Sequence, residues 1–163
     1  MNHPSVDLLN QAVADELQAV HQYMYFHFHL DDQGFGPLSQ LFKRTAIVEM
    51  GHVETLADRI LFLKGDVNMA AAGPVAAITD PAEMLSKAIE MERQSASDYN
   101  KSAQQCGASA DAATKQLFEA LVGDEEAHQD AFEKQLDNIN RFGLSYLALQ
   151  SFGAPSGAPP AAK

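Results

Sequence analysis

The sequence predicts an all-α fold: four long helices in a bundle, a long crossover between the second and third, and a short fifth helix. Three observations predict it. Apolar residues recur at steps of three and four through four long blocks. Gly, Pro and Asp stand where those blocks begin and stop. Two of the three main connections are short and one is long.

The first block runs from about Ser5 to Leu30. Leu9, Val13, Glu16, Val20 and Tyr23 fall on one helix face, and Asp31-Asp32-Gln33-Gly34 ends it. The second starts at Pro37, a favoured first helical residue, and stops at Gly65. Its inward face is Leu38, Phe42, Thr45, Glu49, His52 and Leu56. The third opens on Asp80-Pro81-Ala82-Glu83, an N-cap, a first-turn proline and a capping-box-like glutamate. It carries Leu85, Ile89, Glu92, Ala96 and Tyr99 inward and ends near Gly107. The fourth spans about Asp111 to Phe142, with Leu121, Glu125, His128, Phe132, Leu136 and Ile139 on its inner face and Gly143 after it. Leu144 to Phe152 reads as a stubby fifth helix. Residues 1–152 are expected to form one domain, and 153–163 a flexible Ala/Pro/Gly-rich tail.

Connection lengths set the topology. Short links join antiparallel helix pairs. A helix of about 27 residues is roughly 40 Å long. The link from Asp66 to Thr79 reaches roughly 46–50 Å when extended. It can therefore run the length of the bundle and leave the second and third helices parallel.

The chain has 163 residues, enough for one compact domain; at 46% hydrophobic and 20% charged it can build a core and is not a disordered polymer. Net charge is −11, and no basic patch is visible. That balance argues against nucleic acid and anionic lipid as partners and favours cations. A single cysteine, Cys106, excludes an internal disulfide and any Cys-x-x-Cys metal site. Met1 to Leu9 lacks the basic start and apolar run of a signal peptide, and nothing approaches the roughly 20 apolar residues of a membrane span. The expected compartment is the cytoplasm.

Each of the four inward faces carries a carboxylate where an apolar residue belongs: Glu16, Glu49, Glu92 and Glu125. Two faces add a histidine three residues on, in Glu49-Met50-Gly51-His52 and Glu125-Glu126-Ala127-His128. Residues three apart share a helix side, so each Glu-x-x-His pair can aim an oxygen and a nitrogen at one point. Four buried carboxylates must be protonated, ion-paired or bound to metal. No Lys or Arg lies on these faces, and two divalent cations would balance the four charges. One Glu from each of two helices and a Glu-x-x-His from each of the other two is the donor pattern of di-iron and di-manganese carboxylate bundles.

These residues resemble bacterioferritin, within the ferritin-like superfamily. The resemblance runs from Asp7 to about Phe152 and is strongest in four segments. They are Asp15-Glu16-Leu17 through Gln22-Tyr23, Ile47-Val48-Glu49-Met50-Gly51-His52, Arg59-Ile60-Leu61-Phe62-Leu63-Lys64-Gly65 and Asp124-Glu125-Glu126-Ala127-His128. It implies a ferritin-like four-helix bundle with a ferroxidase centre of two iron ions per subunit. By position, Glu16 and His52 would bind one iron, Glu92 and His128 the other, and Glu49 and Glu125 would bridge them. Tyr23 matches the tyrosine beside that centre; a redox role and a packed, hydrogen-bonded one both stay open. Met50, rotated about 100° from Glu49, should face a neighbouring subunit. The resemblance implies that it ligates heme b at a two-fold subunit interface. It further implies a homo-oligomeric cage of 24 subunits, Fe(II) with dioxygen or hydrogen peroxide as substrates, and a ferredoxin-type reductant for iron release. Arg44 and Val48 replace the histidine and aspartate of an auxiliary inner-surface iron site, so that site is expected to be missing.

Other residues read more plainly. His21, His27 and His29 are packed or surface groups, Cys106 is a reduced thiol, and Asp31-Asp32 is a solvated turn. Two rivals fit less well. A rubrerythrin-like di-iron peroxidase would turn over without storing iron, but no Cys-x-x-Cys electron-transfer segment accompanies this chain. A Dps-like DNA-protecting shell is opposed by the acidic charge and by a full ligand set within one chain.

Overall fold

A computed structural model describes residues 3–153. Its helices are α1 (Ser5–Asp32), α2 (Gly36–Phe62), α3 (Pro81–Ala108), α4 (Ala112–Phe142) and α5 (Ser145–Gly153). Among the described residues there is no strand, and no helix is long and apolar enough to cross a membrane. The all-α expectation and the helix order hold. The first helix runs two residues past Leu30, so Asp31 and Asp32 close it rather than forming a turn. The fifth absorbs Gly153; the remainder of the expected tail, residues 154–163, lies outside the described residues.

Local chemistry explains the boundaries. Asp80 caps α3 by accepting from the Glu83 backbone N–H at 3.0 Å, with Pro81 in the first turn. Asp111 caps α4, accepting from the Thr114 N–H at 3.1 Å. The α1–α2 turn needs the positive φ of Gly34, +83°. Gly65 ends the second hairpin arm for another reason: a Cβ there would stand 2.7 Å from a Val6 methyl carbon.

α1 packs along α2, and α3 along α4. The crossover lies against α1 and follows it in the same direction. Asn10 bonds to the backbone of Asp66 and Asn68. Gln18 bonds to Gly73 and Pro74, Gln22 to both backbone groups of Ala76, and Gln33 to Thr79. Each of the first three amides both donates and accepts, as a strand neighbour would, and so satisfies a segment with no secondary structure of its own. Because the crossover ascends with α1, α2 and α3 run parallel, as the link length predicted.

The apolar side chains form two cores. One gathers Tyr23, Phe26, Phe42, Leu85 and Phe132; the other gathers Leu9, Val13, Leu56, Tyr99 and Phe118. Between them lies a polar layer. Most of the expected inward residues are buried, but Val20, His128 and Leu136 are only half-buried, and Ala19 rather than Val20 fills the core of α1. The three-and-four stepping leaves two neighbouring positions equally placed, and the smaller side chain is the one buried in the core.

At one end of the bundle, Asp111 ties three helices. It accepts from Ser5 Oγ at 2.7 Å and pairs with Arg59 at 2.8 Å. Burial alone would raise its pKa, but the Thr114 and Ser5 hydrogen bonds and the Arg59 charge outweigh burial and lower it to about 2. A carboxyl depressed on folding stabilises the fold above its unfolded pKa, and that contribution fades as pH falls through the folded value. Asp111→Asn keeps a capping oxygen but loses the charge. Thermal unfolding should therefore show the variant less stable at pH 6 to 7, with the gap to wild type narrowing as pH falls from about 4 towards 2. A gap that stays constant across that range would contradict this assignment.

Candidate metal centre

The polar layer is built by all four long helices. α1 supplies Glu16, α2 supplies Glu49 and His52, α3 supplies Glu92, and α4 supplies Glu125 and His128. The four glutamates are at most 1% exposed. The structure brings the six together as two overlapping sets. In one, ligand atoms of Glu16, Glu49, His52 and Glu125 lie within 4.8 Å of one another; in the other, those of Glu49, Glu92, Glu125 and His128 do. Glu49 and Glu125 belong to both.

The contacts inside the layer converge without pairing off. His52 Nδ1 stands 2.8 Å from Glu49 Oε2, 3.2 Å from Glu16 Oε1 and 3.4 Å from Glu125 Oε1. His128 Nδ1 stands 3.0 Å from Glu49 Oε1 and 3.5 Å from Glu92 Oε2. Yet both Glu49 oxygens, Glu92 Oε2, Glu125 Oε1 and His128 Nδ1 are buried with no hydrogen bond of acceptable geometry. Such orphaned atoms are costly in a protein interior. Their lone pairs aim at shared points rather than at one another's protons, which is the arrangement a cation requires. No Lys or Arg is ion-paired to any of the four carboxylates among the described residues. The donor set, carboxylate oxygen with imidazole nitrogen, suits iron, manganese or zinc.

The electrostatics agree. Burial, then the charge of Glu49, raises Glu16 to about 8. Burial, then Glu16, Glu49 and Glu92, pushes Glu125 far above the usual carboxyl range, and burial raises Glu92 as well. Burial also works against charge on Glu49, but contacts from His128 and His52 prevail and bring it to about 2. Burial disfavours charged imidazoles, yet Glu16 and Glu49 hold His52 up at about 11, and Glu49 and Glu92 hold His128 at about 10. Counting protein groups alone, the layer draws in protons to supply the positive charge that it lacks.

Residues around the layer form an internal two-fold repeat. Glu16 and Glu92, Tyr23 and Tyr99, Phe42 and Phe118, Glu49 and Glu125, and His52 and His128 are all separated by the same interval. The tyrosines cross between the halves. Tyr23 of α1 donates to Glu92 of α3, and Tyr99 of α3 donates to Glu16 of α1 at 2.8 Å. Each tyrosine ring lies on its own half's phenylalanine, with centroids 5.7 Å and 5.8 Å apart. The role of Tyr99 is missed when it is read only as a core residue; its interval from Tyr23 is the signal that marks it. Asp124 is also missed. It sits beside Glu125 and accepts from His52 Nε2 at 3.0 Å.

The remaining candidates lie elsewhere. Met50 is 41% exposed on α2, outside the polar layer, as its rotation from Glu49 predicted. Arg44 and Val48 are exposed on the same helix. His27 is buried against Ser39, with Nδ1 2.8 Å from its hydroxyl, while His21 is exposed and His29 half-buried. Cys106 is buried and free.

Comparison with known proteins gives one answer. The ferritin-like domain family matches residues 6–142. A bacterioferritin from Desulfovibrio desulfuricans is 34% identical over 158 residues, covering 97% of this chain and 88% of that one. A second, from Rhodobacter capsulatus, is 33% identical over 145 residues, covering 88% and 89%. The X-ray structure of the Desulfovibrio bacterioferritin, which follows its diiron site through different catalytic states, superposes with a TM-score of 0.90 at 33% identity over 98% of this chain and 92% of that one. The Rhodobacter structure, with a metal-free dinuclear site and heme iron in a crystallographic special position, gives 0.89 at 30% identity over 98% and 100%. On sequence, fold and the length of the match, the chain belongs to the bacterioferritin family of ferritin-like proteins.

Proposed function

We propose that this chain is an iron-storage ferroxidase whose centre is the buried layer of Glu16, Glu49, His52, Glu92, Glu125 and His128. One observation carries the reading: six donors from four helices form two overlapping sets with two shared glutamates, and their unpaired lone pairs converge. Glu16 and His52 would hold one iron, Glu92 and His128 the other, and Glu49 and Glu125 would bridge. Iron held there would pass electrons from substrate Fe(II) to dioxygen or hydrogen peroxide. Carboxylates favour Fe(III) and imidazoles retain Fe(II), so the mixed set tolerates both states. Tyr99 and Tyr23 orient the terminal carboxylates Glu16 and Glu92 through their hydroxyls. The two apolar cores on either side keep bulk water away.

Storage requires a shell. We assign this chain to a homo-oligomeric cage, of 24 subunits by family resemblance, that works in the cytoplasm and is emptied by a ferredoxin-type reductant. Met50 is the residue that would hold heme b, paired with its counterpart across a two-fold interface. Its exposed thioether stands on α2 near exposed Ile47, and beside it Gly51 leaves open space where a side chain would project. The Rhodobacter relative holds its heme iron in a crystallographic special position.

Three outcomes are expected. Apo-protein mixed with Fe(II) in air should oxidise it far faster than a Glu49→Ala, Glu125→Ala variant and should retain many irons per subunit; equal rates would eliminate the ferroxidase. Retention of only about two irons per subunit would instead mark a peroxidase that stores nothing. Protein from heme-replete cells should show a low-spin Soret band that Met50→Leu loses, and an unchanged band would reject Met50. Finally, groups held at about 8 (Glu16), 11 (His52) and 10 (His128) are protonated at neutral pH and must lose protons to bind metal. Co(II) binding at pH 7 should therefore release protons into a weak buffer, and apparent affinity should fall as pH is lowered; pH-independent binding would refute the protonation scheme.

A further inference from the structure

The internal repeat is broken at one place that faces the centre. Asp124 of α4 reaches across to α2, and its Oδ2 accepts from His52 Nε2 at 3.0 Å. When His52 gives up one proton to bind metal, that bond keeps the remaining proton on Nε2 and leaves the Nδ1 lone pair facing the oxygens of Glu16, Glu49 and Glu125. Applying the interval of the repeat, His52 maps onto His128 and Asp124 maps onto Val48. A valine accepts no hydrogen bond. Among the described residues His128 Nε2 has no hydrogen-bond partner, and its side chain is 14% exposed against 8% for His52. Turning the His52 ring breaks a charge-assisted hydrogen bond, whereas turning the His128 ring breaks none on that side.

We propose that Asp124 is a positioning residue which makes the two metal positions unequal, holding His52 as the firm ligand while Val48 leaves His128 as the loose one. The proposal rests on the reading of the six residues as metal ligands. Partners of this kind change metal affinity by about 10–100-fold, so the position served by His52 should fill first and release last.

The test uses the whole assembled protein, stripped of metal and titrated anaerobically with Co(II), with binding followed by calorimetry and by the visible d–d bands. Wild type should bind in two classes separated by about 10–100-fold, with distinct spectra for the first and second ion. Asp124→Ala should weaken the first class towards the second. Asp124→Asn, whose amide oxygen still accepts from Nε2, should restore much of the gap. Val48→Asp, at an exposed position on α2, should tighten the second class and merge the two. Two ions bound with isotherms and spectra unmoved by Asp124→Ala and Val48→Asp would overturn the positioning role while leaving the metal centre intact. Wild-type binding no different from that of Glu49→Ala, Glu125→Ala would overturn both.

Discussion

Four carboxylates buried side by side with no lysine or arginine among them are the constraint on which the structure turns. Unit charges a few ångströms apart in a poorly polarisable interior repel strongly, and each has also lost its hydration. The protein groups offer a partial answer, with two imidazoles taking up protons and Glu16 and Glu125 holding theirs. That answer leaves five ligand atoms without a hydrogen bond. A fold that optimised stability alone would fill this layer with leucine, as the cores on either side do. Those two cores close around the layer, with Phe42 stacked on Phe132 on one side and Phe118 against Tyr99 on the other.

The two-fold repeat explains how one chain makes a nearly symmetric pair of sites. Each helix pair brings one single glutamate, one Glu-x-x-His and one tyrosine. Each tyrosine serves the glutamate of the opposite pair, so the hydrogen bonds that orient the ligands also stitch the two halves together. The long crossover is the price of this arrangement. Joining two like hairpins while keeping α2 and α3 parallel requires a chain segment as long as the bundle, and the amides of Asn10, Gln18 and Gln22 hold that segment down.

Much of this is legible in the residues, and the rest is hidden for definable reasons. Helix limits are written in Asp80, Asp111, Gly34 and Gly65, and the six donors stand out because a charged residue on an apolar stripe has few explanations. The crossover's length follows from counting. What binds the crossover does not, because glutamine on a helix has no periodic signature until its backbone partner is known. Val20 and Ala19 differ by one position, and only packing decides between them. Asp124 looks like one more acidic surface residue, with a side chain 56% exposed, and its purpose emerges only when His52 is seen to point a nitrogen at it. Tyr99 hides for the opposite reason: it sits in the core where a tyrosine needs no further justification.

α2 links the buried chemistry to the outside of the subunit. One residue step turns the helix by about 100°, so Glu49 faces the centre while Met50 faces outward. The helix thus carries a buried carboxylate on one side and an exposed thioether on the other, a single backbone step apart. The same face exposes Ile47 (62%) and, a few turns on, Leu61 (55%). Large apolar side chains left this open are costly in water. The buried donors and the exposed apolar face are thus written on adjacent residues of one helix, so any shift of α2 carries Glu49 and His52 with it.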